Sequence, residues 1–195
     1  MEKLKVGVEM EDNRLIQELN AKKGLGLINV ISPKTWWNLE CFGRDGKPKW
    51  KLANEHNLVT NQGKNANLNI MFHGATQIAA WYFVLFEDNY TPLIGDTYAV
   101  PGFTETSAYD EATRPAFDES ASTAQSLNNS ASKATFTFNT VKTIYGGALV
   151  GGGTDPTVKS DKAGGGTLYS AAKFSELKPV VSGDILKVWI ALTSS

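Results

Sequence analysis

The chain has 195 residues, 19 of them basic and 20 acidic, with a formal net charge of −1. Such a balance argues against nucleic acid as the main partner, because phosphate binding wants a basic face. Its most apolar run, Ala79 to Phe86, is far too short to span a bilayer, and one cysteine, Cys41, allows no intrachain disulfide.

A chain of this length buries roughly 70% of its unfolded surface and needs no staples. The first residues, MEKLKVGVEMEDNR, lack a long apolar segment, so no signal peptide is expected. The 18 glycines, with many Ser, Thr and Asn, lie mostly in the second half. That composition suits strands and loops better than helices.

Residues 1–33 stand apart as an N-terminal arm or extension, ahead of a domain over 34–195. Val8 to Lys23 is charge-rich, with a narrow apolar stripe of Leu15, Ile16 and Leu19, and predicts a helix. GLGLINVISP follows, an apolar run broken by Gly24 and Gly26 and stopped by Pro33. Two readings stand: a terminal helix and strand docked on the same domain, or an arm reaching a neighbouring subunit. In the second, Leu15, Ile16, Leu19, Leu25, Leu27 and Ile28 are the contact residues, since exposed they would be a liability.

TWWNLECF, residues 35–42, predicts a strand. Asp45-Gly46 is a hairpin turn signal, and Lys49 to Leu52 alternates and should pair back. Neighbours in a strand point to opposite faces, so one of Trp36 and Trp37 faces away from the core. Trp37 is nominated as that outward ring, where it anchors a partner or stacks on a sugar; the other reading lays it under the N-terminal segment.

Thr60 to Phe72 predicts a short helix. Thr60 caps its start, Leu68, Met71 and Phe72 form one apolar stripe, and Gly74 ends it. AAWYFVLF, residues 79–86, carries no charge and predicts a strand buried on both faces. This is the greasiest stretch, so the remaining strands are expected to pack around it. Residues 87–125 are irregular. SASTAQSLNNSAS, residues 120–132, is low in complexity and reads as an exposed connection. The last third is a series of short strands: Ala134 to Phe138, Ile144 to Val150, Leu168 to Phe174, and Ile185 to Thr193 with Leu186, Val188, Ile190 and Leu192 on one face. Strands at this spacing predict a sandwich or barrel.

Catalytic and metal patterns are weak. His56 and His73 with Cys41 match no zinc spacing, and read as surface or capping histidines and a small apolar filler. Lys159-Ser160 resembles the tail of a phosphate-binding loop, but Val158 stands where a glycine is required, so Gly151 to Gly166 reads as a flexible loop. Asp110, Glu111, Asp118 and Glu119 surround Arg114-Pro115. Calcium wants oxygens converging from a tight loop, and a salt bridge from Arg114 to a nearby carboxylate is the simpler reading. A glycosidase pair drawn from those four acids is uninformative, since any two would serve. Asn128-Asn129-Ser130 is a formal glycosylation sequon, read as idle.

Taken in order, WWNLECFGRDGKPKW, NLVTNQGKN, FHGATQIAAWYFVLF, YDEATRPAF, NNSASKATFTFN, TIYGGALV and LYSAAKF…VVSGDILKVWIALTSS resemble the capsid cement or decoration (head stabilisation) proteins of tailed bacteriophages. The resemblance spans about Trp36 to Ser194 and leaves out residues 1–33. It implies a mainly β, jelly-roll-like antiparallel β-sandwich with one short helix and an N-terminal extension. It implies a non-enzymatic virion protein on the capsid exterior, made in the host cytoplasm. Its partners would be the major capsid protein and other copies of itself, in a homo-oligomer, with no nucleic acid, membrane or cofactor. The alternative is a receptor- or carbohydrate-binding tail-fibre module, because sandwich folds host both roles.

Overall fold

A computed structural model describes residues 34–194. The expected arm residues, Leu15, Ile16, Leu19, Leu25, Leu27 and Ile28, lie outside the described residues.

Strict alternation builds the first strand, β1 (Lys34–Phe42): Thr35, Trp37, Leu39 and Cys41 are buried, and the residues between them are not. The chain turns through Gly46, at φ +76°, and returns as β2 (Pro48–His56), antiparallel to β1. The parity of β1 corrects the tryptophan assignment. Trp37 is fully buried, its ring 5.4 Å edge-on from Phe83. The outward member is Trp36, half-buried with its ring edge against His56.

After the short β3 (Leu58–Val59) comes α1 (Asn61–Phe72). Thr60 caps it as expected, its hydroxyl oxygen accepting from the Gly63 N–H at 3.0 Å. Gly74, at φ +69°, follows its last turn. The helix docks differently from expectation. Leu68, Met71 and Phe72 are 56%, 58% and 71% exposed, and the buried helix residue is Gly63. The opposite side faces the sandwich through backbone and polar groups. Gln62 Oε1 accepts from the N–H groups of Tyr98 and Leu168, and Gln62 Nε2 donates to the Gly166 carbonyl.

The greasy run becomes β4 (Trp81–Phe86), starting two residues later than expected. It is buried on both faces, but it is an edge strand rather than the centre of its sheet. Its free edge is closed by the irregular chain after it: Phe83 donates to the Pro115 carbonyl, and Thr106 and Phe117 donate to those of Leu85 and Trp81. An uncovered edge this apolar would invite aggregation.

The low-complexity stretch also holds structure. Ser126–Asn128 forms β5, and Asn129 behind it is buried. Then follow β6 (Ala134–Thr137), β7 (Lys142–Gly151), β8 (Thr167–Val180) and β9 (Ile185–Thr193). One sheet runs β2-β1-β9, with β5 and β6 both on the far edge of β9; the other runs β3-β8-β7-β4. All the pairings are antiparallel. The first strand pairs with the last and β3 with β8, a nesting in the jelly-roll manner, while β7 lies between its hairpin partner β8 and β4.

Among the described residues the two sheets form a mainly β sandwich, with one short helix. The core between them holds Trp37, Leu39, Phe83, Phe136, Leu186 and Ile190. A second cluster covers the other face of the β4-containing sheet: Val84, Phe86, Ala148 and Leu168 lie under Tyr98 and Phe103. A sheet covered on both faces explains why β4 reads as continuously apolar. It also explains the small residues of β7. A methyl at Gly147 would meet the Trp37 ring at 2.6 Å.

Candidate functional site

Three surroundings carry chemistry-bearing side chains: a cleft at the start of β4, the outer face of α1, and the buried surroundings of Arg114.

The cleft has a volume of about 580 Å³. It forms where the chain leaves α1, runs through residues 75–80, all exposed except the half-buried Ile78, and enters β4 at Trp81. The Phe117 N–H donates to the Trp81 carbonyl at 2.8 Å, which sets Asp118 and Glu119 on the rim. Tyr169 reaches the cleft from β8, with its ring 5.3 Å from that of Trp81 in an edge-on arrangement. Its hydroxyl accepts from Asn67 Nδ2 at 3.2 Å. Burial raises the Tyr169 phenol above its ordinary range, against the Asn67 hydrogen bond. Its own proton has no acceptor among the described residues. Asp118, Glu119 and Gln77 have no side-chain hydrogen bond or ion pair among the described residues.

The outer face of α1 presents Leu68, Met71 and Phe72 to solvent. Opposite them the helix is held by Thr60, Gln62, Gly63 and Asn67. It is an apolar surface on a fixed support.

Arg114 is the third centre, and it is structural. Its guanidinium grips Glu105 with Nε to Oε1 at 2.9 Å and Nη2 to Oε2 at 2.6 Å. Nη1 donates to the Tyr98 hydroxyl and the Pro156 carbonyl, and Nη2 to the Asp161 carbonyl. All five N–H donors of the fork are thereby used. The glycine-rich loop expected to be flexible is tied down by these bonds, and by the Arg114 N–H on the Thr157 carbonyl. Burial opposes the Arg114 charge, but the Glu105 hydrogen bond and charge outweigh it and raise its pKa.

The four acids near Arg114 do not converge. Glu111 accepts from the Thr137 N–H and hydroxyl, Asp110 accepts from Asn139, and Asp118 and Glu119 line the cleft. The Arg114 partner is Glu105, which lies outside that set. Among the described residues no group of three or more His, Cys, Asp or Glu is placed to hold a metal ion. His73 is an exposed residue at the end of α1, and His56 rests against Trp36. Cys41 is buried, and its thiol is pushed up to about 11, first by burial and then by the charge of Asp184.

Of the contact residues expected from sequence, Trp37 belongs to the core and the six arm residues lie outside the described region. The cleft residues Asn67, Trp81 and Tyr169 escaped sequence reading. They come from a helix, the first residue of an edge strand and a distant strand, so no spacing joins them. No protein-family model matches the chain, and a search of curated proteins finds no match.

Proposed function

We propose that the protein is a structural virion protein, a capsid cement or decoration protein that binds the outside of a phage head and stabilises the shell. The observation that carries this reading, beside the ordered segments, is the bare apolar face of α1. Leu68, Met71 and Phe72 are exposed together on a helix whose other side is tied to the sandwich. Contiguous exposed apolar side chains mark interaction surfaces. A face already held rigid loses little freedom on binding.

In this reading the major capsid protein and other copies of the chain are the partners, and no catalytic step is involved. Binding across a capsomer boundary stabilises the assembled shell by mass action. Many copies on one lattice raise effective concentration, so modest contacts suffice. Near-zero net charge lets neighbouring copies pack without strong repulsion.

The test is co-sedimentation of the full chain with bare capsids of its phage. The wild type should co-sediment and raise the temperature at which shells come apart. Leu68→Glu, Met71→Glu and Phe72→Glu together should abolish both effects while leaving the fold intact. Failure of the wild type to bind would reject the reading. A chain lacking residues 1–30 tests the arm separately, and unchanged occupancy would exclude it as a shell contact.

The alternative, a receptor- or carbohydrate-binding tail-fibre module, loses the support of an outward Trp37.

A further inference from the structure

We infer that the cleft at the start of β4 is a binding site for a neutral saccharide. Its volume of about 580 Å³ falls within the roughly 300–1,000 Å³ of small-molecule sites. Its lining combines two aromatic rings, Trp81 and Tyr169, with polar groups of both kinds.

A sugar ring offers an apolar C–H face and a belt of hydroxyls, each of which both donates and accepts. The half-buried Trp81 ring suits the first, being apolar in body with a polar handle, whereas Tyr169 belongs to the buried core and contributes its hydroxyl. The second needs donors and acceptors together, and the cleft supplies both. Tyr169 is 5% exposed, and its hydroxyl takes a hydrogen bond from Asn67 while its proton finds no acceptor among the described residues. The Trp81 indole N–H also lacks an acceptor among the described residues. The carboxylates of Asp118 and Glu119 and the amide of Gln77 supply acceptors on the rim.

The same groups disfavour other ligands. Asp118 and Glu119 repel phosphate and carboxylate. Both acids are on exposed residues, where a single ion pair is worth little, so a cation gains less than a polyol that uses donors and acceptors at once. The walls are already fixed: Tyr169 is held in β8, and Phe117 is bonded to the Trp81 carbonyl.

This inference is independent of shell binding, and either can hold without the other. It is tested by applying the full chain to an array of neutral oligomers of glucose, galactose, mannose and N-acetylglucosamine, with sialylated and amine-bearing oligomers as charged arms. The best neutral glycan is then titrated calorimetrically. Tyr169→Phe and the pair Asp118→Asn with Glu119→Gln should each weaken binding by about tenfold or more, the loss expected when a buried polar contact goes unmade. Val141→Glu, at an exposed position that does not line the cleft, should bind as the wild type does. Tyr169→Phe keeps the ring, and an unchanged melting temperature confirms its fold. Retention of no neutral glycan, retention of charged ones alone, or equal binding by the cleft variants would overturn the inference.

Discussion

Arg114 and Glu105 form a buried two-point ion pair, with side chains 2% and 5% exposed, in a region of the chain without regular strands. The pair ties the covering segment of β4 to the glycine-rich loop, because the remaining guanidinium donors reach Pro156 and Asp161. Removing one partner leaves the other charged and buried. Arg114→Met should therefore cost about 3–5 kcal/mol in denaturant unfolding. Glu105→Leu with Arg114→Met should recover most of that loss, since neither charge then remains.

Asp161 gives this region its acid sensitivity. The Tyr98 hydroxyl, at 2.7 Å, holds the Asp161 carboxyl below its ordinary range, against some burial and with help from the N–H groups of Gly164 and Ala163. A depressed folded pKa means that the unfolded state binds more protons in acid. The stabilisation is present above the unfolded value of about 3.9 and is lost as pH falls through the folded one. Unfolding titrations should show a shallower loss of stability below about pH 4 in Asp161→Asn than in the wild type.

Asn129 fills a gap in a sheet edge. On β9, β5 pairs with residues 191–193 and β6 with residues 185–188. Between them Asn129 Oδ1 accepts from the Ile190 N–H at 2.9 Å, and its Nδ2 donates to the carbonyls of Ser132 and Val188. Asn129→Leu strands these buried groups and should cost about 1–3 kcal/mol by thermal or denaturant unfolding.

Gly63 sets how closely α1 approaches β8. A methyl there would overlap the Tyr169 carbonyl oxygen, a backbone atom that cannot swing aside. Glycine to alanine inside an exposed helix normally stabilises by about 0.5–1 kcal/mol. Here the sign should reverse, with Gly63→Ala losing about 1–3 kcal/mol, the usual cost of overpacking.

Cys41 should resist thiol reagents in the native state at pH 8.5 and react fully once unfolded. Burial raises its pKa to about 11, so the folded state holds its proton longer than the unfolded state does. The stability tied to this proton is complete below the unfolded value of about 8.5 and is lost as pH rises toward the folded one. Cys41→Ala should lessen the alkaline fall in stability, measured by denaturant midpoints at pH 8 and 10.

By itself the amino-acid order determined the features that neighbours a few residues apart decide. The alternation of β6 and β9, the Gly46 turn and the Thr60 cap are local steric and hydrogen-bonding preferences, and each stands where it was expected. Tertiary structure alone decided what covers what. Alternation shows that one of Trp36 and Trp37 faces inward, but pairing with β9 and packing on Phe83 select Trp37. The stripe on α1 matches a buried helix, yet Gly63 lets the opposite side approach β8 and leaves the stripe bare. The apolar run of β4 was legible as doubly buried, but its edge position depends on the return of residues 104–117. Asn67, Trp81 and Tyr169 meet only because β8 lies under the helix cap, a long-range pairing that no local preference encodes.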